Sequence, residues 1–433
     1  MSDAAVAPGE MAVERRATAR TTRPISRLSV ASWVLYDLAN TIFSLNIVSL
    51  YFSLWVVNAM GGTDQTYGNA NGLSMALMFA SAPVLGALSD QAPRRLPFLV
   101  ASTLVCVAFT LLLGTGGLAL SLLFFIVANY FYQAGLIFYD ALLPEVSTEE
   151  TRGRIGGIGV GVGYLGSVIG LGAGFLILRA NPDDYITVFR VTGLLFLLFA
   201  LPAFFLVRER PRHTPPFGWA SIERALGQLR QTLSRARQYP GLARFLVGRV
   251  FYTDAANTVI AFMGIYVTNE IGFTAGQAQL VLLVGIIAAV IGGFIWGPIV
   301  DRRGPKRTLD LVLGLWAVTF ALAIAIPVLT LPPALFWLVA VLAGIALGGT
   351  WSADRPYMLR LSPPRYLGQF YGLYAMVGRF AAITGPVLWG LIVNTLGWGR
   401  PAAIASLLAF VGIAYLILRG VSDTPRRWEG EQE

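Results

Sequence analysis

Along the chain, apolar residues gather in runs too long and too continuous for strands. A helix needs about 20 mostly apolar residues to cross the hydrocarbon core of a bilayer. Twelve runs qualify, at about 28–57, 67–89, 97–116, 118–143, 155–178, 186–207, 243–268, 277–300, 307–329, 333–354, 369–394 and 400–419. Barrel strands alternate and are about half as long, so these runs predict helices. The expected fold is an all-α integral membrane protein with twelve transmembrane helices.

Between the sixth and seventh runs lies a polar stretch, 208–242. Ile222, Leu226, Leu229 and Leu233 recur there at helical spacing, with Arg224, Arg230, Arg235 and Arg237 elsewhere on the turn. That pattern predicts an amphipathic helix, either lying on the inner leaflet or acting as a solvated linker. The domains expected are a cytoplasmic tail (1–27), a six-helix bundle (28–207), the linker (208–242), a second six-helix bundle (243–419) and a short tail (420–433). The first ~27 residues are Arg-rich and lack a hydrophobic core, so no cleavable signal peptide is expected before the first run.

Lys and Arg set the expected orientation. Alternate connections carry Arg94/Arg95, Arg152/Arg154, the Arg-rich linker, Arg302/Arg303/Lys306/Arg307 and Arg360/Arg365; the opposite connections carry almost none, with Arg179 and Arg400 the clear exceptions. By the positive-inside rule both termini and the linker are cytoplasmic, in what is expected to be a prokaryotic inner membrane.

Composition agrees: 56% of the 433 residues are apolar and 13% charged. The formal net charge of +9 suits a membrane surface better than nucleic acid, because the basic residues come in clusters between apolar runs. The chain has one Cys, Cys106, and one His, His213. That nearly excludes His-rich metal sites and Ser/His or Cys/His nucleophiles. No metal or cofactor is expected, and no enzyme activity.

The chain also repeats itself. D-L-A-N-T (37–41) in the first run returns as D-A-A-N-T (254–258) in the seventh. G-A-L-S-D-Q-A-P-R-R (86–95) after the second returns as G-P-I-V-D-R-R-G-P-K-R (297–307) after the eighth. Gly157, Gly163 and Gly170 in the fifth match Gly372, Gly378 and Gly385 in the eleventh. Matches in one order at nearly constant displacement imply two homologous six-helix bundles. An even helix number makes them parallel, with a substrate site between the halves near mid-bilayer.

The two loops resemble the cytoplasmic motif G-x-L-[AS]-D-[RK]-x-G-R-[KR] of the major facilitator superfamily. The first departs from it at Gln91 and Pro93; the second keeps Asp301, Arg302 and Gly304. Y-D-L-A-N-T (36–41), F-Y-D-A-L-L-P-E (138–145) and F-Y-G-L-Y-A (370–375) resemble the "unknown major facilitator" family, which includes autophagy-related effluxers of vacuolar amino acids. The first segment is also similar to the G-D-x-A-x-N of cation-coupled glycoside symporters, with Tyr36 where that family has glycine. The resemblance implies a twelve-helix secondary transporter in two pseudo-symmetric bundles, working as a monomer on a small polar solute, such as an amino acid, with H⁺ or Na⁺ as coupling cation and lipid around it.

Ionisable groups inside a bilayer are costly, so each needs a partner or a purpose. Asp37, Asp140, Asp254 and Asp354 fall on the first, fourth, seventh and tenth helices, which the resemblance makes cavity-lining. Asp37 and Asp254 lie about nine and about eleven residues into their runs, ~13–16 Å at 1.5 Å per residue. Asp37 is the leading coupling candidate, with Asn40 one turn on; a structural ion pair is the alternative. Asp254 and Asn257 are their repeats. Arg379 could clamp a substrate carboxylate or could neutralise Asp254 or Asp354. Tyr36 and Tyr252 could contact a solute or simply pack. Arg249 should not share the face of Asp254.

The remaining candidates belong to a cytoplasmic gate: Gly86, Asp90, Arg94, Arg95, Asp140, Glu145, Arg152, Asp301, Arg302, Gly304, Asp354 and Arg360. Asp140 and Asp354 are expected to pair with arginines of the loops; the pairs that fit are Glu145 with Arg152, and Asp354 with Arg355 or Arg360. Asp90 and Asp301 could each cap a helix of the other half. Among other functions, an exporter of hydrophobic drugs or lipids would want fewer cavity charges. A membrane enzyme would want a catalytic His, Cys or metal cluster, against which the single His213 and single Cys106 argue, and a receptor or scaffold has no need for the repeat.

Overall fold

The computed structural model describes residues 25–212, 214, 218–234, 239, 241–422 and 424. The tails expected at 1–27 and 420–433 lie almost wholly outside the described residues, as do His213, Arg235 and Arg237. Among the described residues there is no strand. The helices are α1 (Arg27–Phe43), α2 (Asp64–Asp90), α3 (Leu96–Leu111), α4 (Leu118–Ala141), α5 (Arg152–Ala180), α6 (Tyr185–Leu206), α7 (Leu242–Asn269), α8 (Ala275–Arg303), α9 (Pro305–Val328), α10 (Phe336–Leu361), α11 (Leu367–Gly390) and α12 (Gly399–Leu418). A linker helix, Trp219–Ser234, lies between α6 and α7.

The number and order of the long helices match the apolar runs. Eleven are long and apolar enough to cross a membrane, α1 by continuing as far as Ala59. Its extension includes π-helical turns over Ser44–Leu50. There the Asn46 amide donates to the Gly170 carbonyl at 3.0 Å and to Thr192 Oγ1 at 2.9 Å. This ties α1 to α5 and α6, and π-turns of this kind recur at functional positions.

Two boundaries depart from expectation. Helix α3 ends at Leu111 rather than near residue 116, because Gly114, Gly116 and Gly117 take φ of +84°, +75° and +84°. Positive φ stops a right-handed helix, and glycine adopts it freely. Helix α10 instead runs on to Leu361, past the expected end at 354. That extension brings Arg355 inside the helix.

The outer surface is apolar, with Phe205, Leu176 and Leu416 strongly exposed. Such a face is stable only where lipid solvates it. The two halves meet along α2 against α11 and along α5 against α8. These crossings are close because small residues meet there: a Cβ on Gly86 would strike the Gly368 carbonyl, and one on Gly157 the Gly293 carbonyl. The connections α2–α3, α4–α5, α8–α9 and α10–α11 and the linker share one side, here called the basic face. The linker helix packs on α2. Ser221 and Ala225 are buried, while Ile222 and Leu226 point outward.

Candidate substrate cavity and gate

A cavity of about 300 Å³ lies between the halves. From the first half it is lined by Asp37, Asn40 and Thr41 of α1, Tyr132 and Asp140 of α4, and Gly163 and Tyr164 of α5. From the second come Arg249, Thr253 and Asn257 of α7, Trp351 and Arg355 of α10, and Tyr374, Gly378 and Arg379 of α11. Gly163 leaves the room that Asp37 and Thr41 occupy, since both approach its Cβ position at 3.3–3.4 Å.

Arg355 is the centre of the floor. Its Nη1 lies 3.2 Å from Asp37 Oδ2 and its Nε 3.1 Å from Asp140 Oδ1. One guanidinium from the second half thus holds two carboxylates of the first. Behind it, Tyr139 stacks on Trp33 at 4.5 Å and on Tyr36 at 5.2 Å between ring centres. The Arg355 guanidinium lies 5.6 Å from the centre of the Tyr139 ring, so the aromatic slab backs the ion pairs on the side away from the cavity.

A second ionic group is closed on itself. Asp354 is fully buried and accepts from Arg249 Nε at 3.0 Å, from the Tyr252 hydroxyl at 2.5 Å and from the Tyr374 hydroxyl at 2.8 Å. The Arg249 guanidinium also sits 3.5 Å from the centre of the Tyr374 ring. Three donors on two helices, α7 and α11, satisfy that carboxylate, which is what a buried charge requires.

Arg379 has no carboxylate within ion-pair reach among the described residues, and its Nε is buried without a partner. Asn40 is 3% exposed, and neither its amide oxygen nor its nitrogen is bonded. The buried Thr253 hydroxyl is likewise unbonded. Buried polar atoms are rarely left this way, and Arg379, Asn40 and Thr253 all line the cavity.

Toward the basic face the cavity is shut. Asp90 Oδ1 accepts the N–H of Gly368 at 2.9 Å, and its Oδ2 that of Gln369 at 2.8 Å, at the start of α11. Asp301 Oδ1 accepts from Gly153 N–H at 2.6 Å, and its Oδ2 from Arg154 N–H at 2.9 Å, at the start of α5. Arg95 Nη2 binds Asp90 at 2.5 Å from its own half. Glu145, between α4 and α5, accepts from the Arg210 N–H at 3.3 Å. Burial pushes its carboxyl above the usual carboxylate range, and the bond from the Arg210 amide partly offsets this.

Of the expected substrate and coupling residues, Asp37, Asn40, Asn257 and Arg379 come together on the cavity wall. Asp254, Tyr36 and Tyr252 are not among the lining residues. Asp254 turns toward α11, accepting from Thr258 Oγ1 at 3.0 Å and Thr384 Oγ1 at 2.6 Å. Tyr36 bonds Thr103 at 2.6 Å inside the first half. Tyr252 serves Asp354. At the basic face Gly86 sits in the α2–α11 crossing and Gly304 turns α8 into α9 with φ +85°. Arg94 and Arg302 are exposed, and Arg360 ends α10.

Three expected pairings are replaced. Glu145 and Arg152 do not meet; Arg152 lies 3.9 Å from Glu149 instead. Asp354 is held by Arg249, not by Arg355 next to it. Successive helical residues point about 100° apart, so Asp354 faces α7 and α11 while Arg355 faces α1 and α4. Asp140, expected to meet loop arginines, meets Arg355. The expected tenth span stops one residue short of Arg355, so sequence reasoning misses this bridge between the halves as a cavity residue.

Two six-helix bundles closing at α2–α11 and α5–α8 around a polar cavity have the architecture of membrane transporters of the major facilitator type. The chain belongs to the vacuole effluxer Atg22-like family, whose model matches residues 66–427. It is 26% identical over 413 residues to an uncharacterized MFS-type transporter, YxiO, of Bacillus subtilis (strain 168), spanning 90% of this chain and 94% of that one. It is 27% identical over 285 residues to autophagy-related protein 22-1 of Aspergillus niger, spanning 60% of this chain and 44% of that longer one. Among solved structures, a bacterial homologue of the iron transporter ferroportin in its outward-facing state has a TM-score of 0.71 at 17% identity, covering 91% and 99% of the two chains. The proton:xylose symporter XylE has a TM-score of 0.66 at 12% identity, covering 92% and 96%. Likeness at such identities speaks to the fold alone. These relatives are transporters, not enzymes.

Proposed function

We propose that the chain moves a small zwitterionic solute of amino-acid type by alternating access, coupled to H⁺ or Na⁺. The observation that carries this reading is the unequal distribution of charge in the cavity. At one place Asp37 and Asp140 share the single cation Arg355, an excess of one negative charge. At another Arg379 stands without an anion, an excess of one positive charge. A solute carboxylate would make a two-pronged contact with Arg379. The unsatisfied carboxylate would take the solute's ammonium group or the coupling cation. Asn40 and Thr253 supply donors and an acceptor between these ends. A cavity of about 300 Å³ is at the small end for ligand sites and fits a compact solute. The same wall disfavours a hydrophobic drug or lipid, which would strand those charges.

On this reading the caps by Asp90 and Asp301 hold the protein open away from the basic face. The basic face is cytoplasmic by the positive-inside rule, the membrane is a prokaryotic inner membrane, and the exposed apolar edge of the linker helix rests on its inner leaflet as the protein works as a monomer. The test is a thermal-shift screen of amino acids, sugars and nucleosides, followed by uptake into vesicles under imposed pH or Na⁺ gradients. Arg379→Lys should weaken binding of the hit at least tenfold and leave the protein folded. Stabilisation by sugars alone, with Arg379→Lys binding as the parent does, would refute the assignment.

A further inference from the structure

The α2–α3 connection departs from the superfamily motif at Gln91 and Pro93, and in the structure the linker hydrogen-bonds to both residues. The Pro93 carbonyl accepts the Arg212 N–H at 2.9 Å. The Gln91 side-chain oxygen accepts from Arg224 Nε at 3.2 Å. The Arg212 guanidinium then reaches the gate itself, with Nη1 3.3 Å from Asp90 Oδ1 and Nη2 3.0 Å from the Ser89 carbonyl. Three residues earlier, Glu209 accepts the N–H groups of Arg95 and Leu96 at 2.7 and 2.8 Å, capping α3.

These contacts make one quartet, three of its side chains buried and Arg212 half-buried. The side chains of Asp90 and Glu209 are each 1% exposed, Arg95 4% and Arg212 22%. Two carboxylates and two guanidiniums balance. Without Arg212, two buried carboxylates would share one cation, and like charges in low dielectric repel. The strain would fall on Asp90, the residue that ties α2 to α11. Asp301, the equivalent residue in the second half, has no linker partner among the described residues; Arg154 Nε at 4.0 Å is its nearest cation.

We propose that residues 207–212 are a working part of the gate, with Arg212 as the positioning residue that holds Asp90 on the start of α11 and keeps the basic face shut by balancing the buried charge of Glu209 beside it. This rests on the alternating-access reading above. It makes the gate asymmetric: one aspartate is set by the linker and the other by its own bundle.

Cys106 is the only cysteine and is buried, so an introduced thiol reports alone. Val160→Cys on the cavity wall would be labelled with a membrane-impermeant maleimide applied to the basic face of sealed vesicles. Arg212→Gln should speed labelling several-fold. Arg212→Lys keeps the charge but cannot reach both Asp90 and the Ser89 carbonyl, and should lie between. Arg212→Gln combined with Glu209→Gln restores neutrality and should return most of the way to the parent rate. Parent-like rates in both Arg212 variants, with Asp90→Asn fast, would overturn the linker's role and leave alternating access standing. A double variant as fast as Arg212→Gln would overturn the charge-balance argument. If Asp90→Asn is slow as well, the alternating-access reading falls with it.

Discussion

Asp90 and Asp301 occupy equivalent places in the two halves, and each caps the helix that the opposite half presents to it. Both use their two carboxylate oxygens on the second and third N–H groups of that helix. The first four N–H groups of a helix lack partners within it, and its N-terminus favours a negative charge. Each contact therefore satisfies donors that parting of the halves would leave to water.

Asp301→Ala removes one of the two caps. A cap is worth about 0.5–2 kcal/mol, so the basic face should open roughly tenfold more often. Labelling of Val160→Cys from that face should quicken accordingly. A rate equal to the parent's would mean that the α5 cap carries none of the closure.

Arg355→Met leaves Asp37 and Asp140 buried without a cation. Removing one partner of a buried ion group costs about 3–5 kcal/mol. The melting temperature in detergent should drop sharply, and adding Asp140→Asn should restore part of it. An unchanged melting temperature would show that water reaches both carboxylates freely.

Gly157→Val drives a side chain into the Gly293 carbonyl across the α5–α8 crossing. It should exclude the closed basic face and abolish transport. Gly172→Ala on the same helix meets nothing within 4 Å and should behave as the parent. Equal transport by the two variants would contradict the crossing.

Glu145 gives the protein a dependence on pH. Its folded pKa is raised, chiefly by burial. Its contribution to stability is therefore full below the ordinary carboxylate pKa and is lost as pH rises through the raised folded value. Glu145→Gln should remove that slope and melt higher than the parent at neutral pH. A parent slope that survives the substitution would assign it to another group.

Much of this was legible before any coordinates. Long apolar runs became helices because lipid leaves no other way to satisfy the backbone. The glycines shared between the fifth and eleventh runs include Gly157 and Gly372, and both sit in the crossings between halves, where a repeat demands equivalent packing. What was not legible was the partner of each charge. Arg355 fell one residue beyond an expected span, and nothing in a polar linker distinguishes Arg212 from its neighbouring arginines.

The amino-acid sequence by itself determined twelve apolar helices, their division into two related halves, and the family, since these follow from local hydropathy and repeated motifs. Only the tertiary structure decided that Arg355 answers Asp37 and Asp140, that Asp354 is spent on Arg249, that Asp254 turns from the cavity, and that Arg379 is left facing it. Those outcomes depend on the angle of each side chain about its helix and on which helix stands opposite. At about 100° per residue, one position along the chain is enough to change the partner.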